Sequence, residues 1–277
     1  TTGQLAPDGT YNATKVSGVI GSTNLYRNSE SSTTASRSIY ARTVSGTGTA
    51  KLTSHNSNTN NLFTLTEDWQ RFELTGSSAI GGTNFYAADF RDTSQTLSEF
   101  IIWGCQSEEG SYPTSYIPTD GGTVTRVQDQ YSKTGISNLI NSEEGVLFVE
   151  MAALSDDGTD RRISLNDGTV GNAVNIGLSR FTGNINGEVY SGGALQTSGF
   201  AATGVTQTNN NKFALSWGSG TMKFYVNGSP TISITGVTSP IGLNSLKLSS
   251  GDDTLNLFAK VKQLQVFKTA LTDSELI

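Results

Sequence analysis

Short runs of alternating apolar and polar residues recur along the whole chain, as in Arg37–Arg42 (RSIYAR), Gln70–Leu74 (QRFEL), Phe100–Trp103 (FIIW) and Val146–Met151 (VLFVEM). A period of two places successive side chains on opposite faces, so each run predicts a strand with one buried face. Gly, Asn, Asp and Thr separate the runs and supply turns. Asn166-Asp167-Gly168 and Asn227-Gly228 are pairings that tolerate positive φ. The second lies between Met222–Val226 and Thr231–Ile234, which predicts a tight hairpin. One short helix is predicted at Thr272–Ile277, where Thr272 N-caps and Glu275 sits at capping-box spacing. The pattern therefore predicts an all-β chain of antiparallel strands.

Two prolines and a glycine pair interrupt this pattern within Pro113–Asp129. Roughly 115 residues precede that stretch and about 150 follow it, each enough for one β-sandwich. Two tandem sandwiches are expected, over residues 1–119 and 139–277, with a linker at 120–138. No fixed-period repeat is present.

Composition narrows the function classes. Only 15% of residues are charged and Gly numbers 31, which leaves little helix-forming material. Lys and Arg total 18 against 24 Asp and Glu, a net charge of -6, so nothing draws the chain to nucleic acid. No apolar run reaches the ~18 residues of a membrane span, and no membrane insertion is expected. The single Cys, Cys105, forms no intrachain disulfide, which suits folding in a reducing cytoplasm before any extracellular role. It alternates with Ile101 and Trp103 and is expected to be a small buried thiol.

Catalytic chemistry is poorly supplied. A retaining glycosidase needs two carboxylates ~5–5.5 Å apart. The strand starting at Val146 offers only Glu150, and the adjacent Glu143-Glu144 would point to opposite faces. Glu108-Glu109 are expected to brace a turn. The sole histidine, His55, sits in a Ser/Asn-rich loop with no nucleophile in view. One His and one Cys are too few for zinc. The expectation is a protein that is not an enzyme.

Calcium is the one cofactor the residues bring into question. Asp156, Asp157 and Asp160 crowd a loop, and calcium accepts oxygen ligands from flexible loops. Arg161-Arg162 offer the competing account, in which they neutralise the cluster. The Asp252-Asp253 turn is expected to be a polar hairpin loop. For sugars, recognition requires aromatic faces beside amides and carboxylates. Trp69, Trp103 and Trp217 alternate with apolar neighbours and are expected in the core. A phenol end tolerates water, which leaves Tyr26, Tyr40 and Tyr86 in the first domain and Tyr190 in the second as the candidate carbohydrate-binding residues.

The segment Ile101–Thr119 (IIWGCQSEEGSYPTSYIPT), followed by Val124-Thr125-Arg126, resembles the closing pattern of a carbohydrate-binding-module-like jelly roll found in phage tail and virion proteins. Ala6-Pro7-Asp8-Gly9-Thr10 and Asp68–Phe72 match its earlier landmarks. That family opens with a further strand or two, whereas five residues precede Ala6 here, so the resemblance implies a jelly roll lacking its usual first strands. From Glu144 onward, Glu144–Glu150, Phe213–Trp217, Met222–Gly228 and Leu264–Leu276 resemble a concanavalin A-like or laminin-G-like sandwich. The tandem implies a recognition or adhesion module on a phage virion surface, in a tail fibre or similar protein. Its implied partners are host surface polysaccharide, other virion subunits and further copies of itself as a homo-oligomer. Two alternatives stand beside it: a purely structural virion component that mediates subunit packing, and the binding module of a bacterial carbohydrate-active enzyme.

Overall fold

The computed structural model describes residues 1–30, 35–54, 61–77, 83–119, 121–179, 181–196 and 201–276. The chain divides into two compact units, Thr1–Arg126 and Val127–Ile277, each an antiparallel β-sandwich.

The first unit contains β1 (Thr2–Gln4), β2 (Ala13–Ser17), β3 (Asn24–Glu30), β4 (Ala35–Arg42), β5 (Gly48–Ser54), β6 (Leu62–Leu65), β7 (Gln70–Ser77), β8 (Thr83–Asp89) and β9 (Glu99–Glu109). One sheet runs β1-β2-β9-β4-β7 and the other β3-β8-β5-β6. The pairs are nested: β2 with β9, β3 with β8, β4 with β7 and β5 with β6. A hairpin ribbon folded over itself in this way is a jelly roll. Alternation fixes the faces. On β4, Ile39 and Ala41 enter the core with Leu52, Leu65, Phe90 and Phe100, while Tyr40 between them is only half-buried.

One expectation fails at a bulge in β9. Gly104 adopts φ +60°, and the pairing with β4 slips between Ser38 and Tyr40. A bulge of this kind breaks the period of two. Cys105 is consequently exposed rather than buried. Trp69 and Trp103 do not join the inter-sheet core either. They are half-buried against a separate cluster of Ala6, Ala13 and Ile101. Alternation marked their face as covered, and the cover is this small cluster, not the opposing sheet.

The second unit contains β10 (Ser132–Lys133), β11 (Gly145–Ala153), β12 (Arg161–Asn166), β13 (Ala173–Leu178), β14 (Ile185–Ser191), β15 (Ala194–Leu195), β16 (Asn211–Gly218), β17 (Thr221–Val226), β18 (Ser229–Thr235), β19 (Ser245–Lys247), β20 (Ala259–Phe267) and the helix α1 (Asp273–Leu276). Its sheets run β10-β19-β12-β13-β14-β15 and β18-β17-β16-β11-β20. Leu147, Val149, Phe213, Leu215 and Trp217 of the five-stranded sheet share a core with Ile163, Leu165, Val174, Ile176 and Val189 of the six-stranded sheet. Trp217 is 1% exposed, and its indole N–H donates to the Ser142 carbonyl at 3.2 Å.

The local signals act as the sequence predicts. Asn227 and Gly228 take φ of 52° and 79°, closing the hairpin between β17 and β18. At α1, Glu275 accepts from the Thr272 backbone N–H at 2.8 Å and from its hydroxyl at 2.7 Å. This contact holds the Glu275 carboxyl below its ordinary value.

Candidate functional site

The core takes one face of the six-stranded sheet, and polar side chains take the other. Pairing sets them in rows across the strands. Arg162 of β12, Gly177 of β13 and Asn186 of β14 form the first row. Lys247 of β19, Ser164, Asn175 and Glu188 form the second. Ser245, Asn166, Ala173 and Tyr190 form the third. The middle strand contributes Gly177 to the first row and Ala173 to the third, so small positions flank Asn175 along it.

These polar groups are closely held. Arg162 Nη1 donates to Glu188 Oε2 at 2.6 Å, and Arg162 Nη2 lies 3.6 Å from Asp160 Oδ2. Their side chains are 15% and 12% exposed for the Arg162–Glu188 pair. Asn175 and Arg162 both hydrogen-bond Glu188, and Tyr190 hydrogen-bonds Arg162. Burial pushes the Glu188 carboxyl up from its ordinary value, with Arg162 opposing it. Burial alone would lower the Arg162 guanidinium, but Glu188 and Asp160 outweigh it and raise it. Lys247 Nζ is satisfied by the Gly251 carbonyl at 2.8 Å and by Asp253 Oδ1 at 2.9 Å.

Four buried atoms along this region lack a hydrogen-bond partner: Asn175 Oδ1, Asn186 Oδ1, Asp160 Oδ1 and Arg162 Nε. Asn175 is only 4% exposed. A buried polar group left unpaired costs about 1–3 kcal/mol, so a gathering of them calls for a physical explanation.

Of the residues predicted from sequence, Tyr190 lies on this face and Asp160 at its edge. The three aspartates Asp156, Asp157 and Asp160 are not brought to one point. Asp157 Oδ1 takes the nearly buried Arg161 guanidinium at 2.5 Å, Asp156 Oδ2 accepts the Gly183 N–H at 3.1 Å, and Asp160 turns to Arg162. Among the described residues, no three His, Cys, Asp or Glu form a group able to hold a metal ion. The Asp252-Asp253 turn is a polar loop, with Asp252 Oδ1 accepting from Ser250 and Thr254.

The tyrosines of the jelly roll are divided between its two sheets, Tyr26 and Tyr86 in one and Tyr40 in the other. Tyr86 is 4% exposed, with the Arg91 guanidinium 4.1 Å from its ring centroid, so its face is covered. Tyr26 pairs with Tyr86 in the sheet, and its side chain lies outside the described residues, as does all of His55. Tyr40 is half-buried, edge-on to Trp103 at 5.4 Å, and Trp103 meets Tyr116 at 4.5 Å. These rings pack on one another and pin the segment after β9. Glu108 does the same by accepting from the Thr114 N–H at 2.9 Å.

A cavity of about 180 Å³ lies on the outward face of the five-stranded sheet, lined by Val146, Phe148, Tyr225, Phe267 and Leu276 among others. Burial and the neighbouring Asp273 push the Tyr225 phenol up to about 12. Lys212, Gln265 and Glu275 line it beside these rings and aliphatic groups, so its walls are mixed.

Asn175, Asn186, Glu188 and Lys247 were not singled out from the sequence, and Arg162 was expected only as a neutraliser of the Asp156–Asp160 loop, where it does meet Asp160. Period two marks them as facing away from the core, but only strand pairing makes neighbours of residues 26 apart, such as Arg162 and Glu188.

No protein-family model matches the sequence, and no curated protein matches it. Among solved structures, the NanB sialidase of Streptococcus pneumoniae is similar over 53% of this chain and 26% of that one, at 19% identity and a TM-score of 0.43. The CBM40 domain of the Ruminococcus gnavus IT-sialidase, solved with α2,3 sialyllactose, is similar over 53% of this chain and 96% of that one, at 16% identity and a TM-score of 0.43. The binding domain of botulinum neurotoxin serotype D is similar over 55% of this chain and 40% of that one, at 11% identity and a TM-score of 0.43. Each is a likeness of chain path over about half of this protein, and none assigns it a ligand or a reaction.

Proposed function

We propose that this protein is a non-catalytic recognition module that binds glycans through the outward face of the six-stranded sheet. The observation that carries this reading is the row arrangement itself. Amides, a carboxylate and a guanidinium stand beside the half-buried ring of Tyr190, on strands fixed by a full hydrogen-bond ladder. Sugars are held by such sets of donors and acceptors, with an aromatic ring against the apolar face of the pyranose.

At a finer level, the reading is a phage virion surface protein, such as a tail fibre component, that recognises host surface polysaccharide. It folds in the host cytoplasm and acts outside the cell. The Ile101–Thr119 motif and the tandem of a jelly roll with a second sandwich support it. Neighbouring virion subunits and further copies of the chain would then multiply a weak single-site affinity. A packing role is the second reading, favoured by the long edge strands β18 and β20 of the five-stranded sheet, since open edges invite further strands.

Binding of the purified chain to a glycan array and to whole bacterial cells tests the reading. Saturable binding that soluble glycan competes away and that Tyr190→Ala weakens is the expected result. Absence of binding up to millimolar glycan would leave the packing reading in its place.

A further inference from the structure

We propose that the cavity on the outward face of the five-stranded sheet is a second binding site, built for one sugar residue at a time. It stands apart from the glycan reading of the six-stranded sheet, because the core of the sandwich separates the two faces.

Strand pairing builds the cavity. Gln265 of β20, Phe148 of β11, Ala214 of β16 and Tyr225 of β17 form one row across the sheet. Phe148 and Ala214 alternate with the core residues Leu147, Val149, Phe213 and Leu215, so the row faces outward. Strands lie ~4.8 Å apart, so the Phe148 and Tyr225 backbones stand about 10 Å apart with only the Ala214 methyl group between them. Leu271, Glu275 and Leu276 of the C-terminal turn wall one side. That turn is fixed in place. Asp273 accepts from Lys223 Nζ at 2.5 Å and from the Tyr225 hydroxyl, and Leu276 is buried against Val146, Ala214 and Tyr225. A ligand would therefore meet walls that are already ordered, which lowers the cost of binding.

Size sets the first limit on the ligand. A cavity of ~150 Å³ holds a benzene ring. At about 180 Å³ this one takes a single six-membered ring and little more.

The chemistry of the walls sets the second. Phe148 and Phe267, both half-buried, offer ring surface, and Lys212, Gln265 and Glu275 are exposed beside them. Among the described residues, Lys212 hydrogen-bonds only through its backbone, and the Gln265 amide bonds nothing. Glu275 spends one carboxylate oxygen, Oε2, on Thr272. An ammonium, an amide and a half-used carboxylate supply donors and acceptors together. An apolar guest, such as a leucine or phenylalanine side chain of a partner protein, would strip water from these groups and bond none of them, which costs affinity. A pyranose has an apolar face for the rings and edge hydroxyls that both donate and accept.

The test titrates the isotopically labelled full chain with the methyl glycosides of glucose, galactose, mannose, N-acetylglucosamine and glucuronic acid, and follows its backbone amides by NMR. At least one glycoside is expected to shift the amides of Phe148, Ala214, Tyr225 and Leu276 saturably. Its disaccharide and trisaccharide counterparts are expected to bind there within about threefold of the same affinity, because only one ring enters. Lys212→Ala and Gln265→Ala are each expected to weaken binding about tenfold, the loss of roughly one good hydrogen bond. Both side chains are exposed, so the unfolding temperature is expected to hold. No saturable shift at these amides with any glycoside overturns the inference, whatever happens in β12–β14, where the glycan reading of the other sheet is tested. Tighter binding of N-acetylphenylalanine amide than of every glycoside also overturns it, and makes the cavity a socket for a partner's side chain.

Discussion

Removing the Glu188 carboxylate should destabilise the second sandwich out of proportion to one lost contact. Glu188→Ala leaves the Arg162 guanidinium, 15% exposed, without its partner at 2.6 Å, and deprives Asn175 of its bonded acceptor. Breaking a fully buried ion pair from one side costs about 3–5 kcal/mol. Arg162 keeps Asp160 at 3.6 Å and some access to water, which brings the expected cost to about 2–3 kcal/mol. Arg162→Met alone strands Glu188 in turn. The double variant Arg162→Met/Glu188→Leu removes both charges and should cost much less than the sum of the singles, with a coupling of about 1.5–3 kcal/mol. Native-state hydrogen exchange of the β13 amides reads this directly. Glu188→Ala should speed exchange at Val174 and Ile176 roughly 30- to 150-fold. Single costs below about 1 kcal/mol that add simply in the double variant would refute the reasoning, because that is how a solvated surface pair behaves.

Gly187 lies on the core side of β14, and a Cβ there would stand 2.6 Å from the Phe224 ring and 3.1 Å from Leu215. Gly187→Ala should cost about 1–3 kcal/mol by overpacking, seen as a lower unfolding temperature in calorimetry. An unchanged temperature would mean the two sheets part easily. In the jelly roll, the Ser94 hydroxyl and Lys51 hold the Asp92 carboxyl well below its ordinary value of 3.8. A depressed carboxylate contributes stability that is full above the ordinary value and is lost as pH falls through the folded one. Stability measured from pH 5 downward should therefore fall less steeply in Asp92→Asn than in the unmodified chain, and parallel curves would contradict that assignment.

Local chemistry made much of the fold legible. The positive φ angles of Asn227 and Gly228, and the contact of Glu275 with Thr272, are decided within a few residues and could be read directly. Alternation placed Trp217 in the core for the same reason. It misplaced Cys105 because the bulge at Gly104 is a single irregularity that a period of two passes over. The candidate site was legible at Tyr190 and, at its edge, Asp160. Its other members are ordinary polar residues in separate runs, made neighbours by pairing across β19, β12, β13 and β14. The Asp156–Asp160 loop was read as a carboxylate cluster because sequence shows proximity, whereas the structure sends each carboxylate to a different donor.

Glycan bound on the outward face of the six-stranded sheet would shield the strands beneath it. Hydrogen exchange of the full chain, compared with and without a saturating oligosaccharide, reads that shielding. Exchange is expected to slow in β12, β13 and β14, and the slowing to be lost in Tyr190→Ala. Slowed exchange around Trp103 and Tyr116 instead, with β12–β14 unchanged, would contradict that placement.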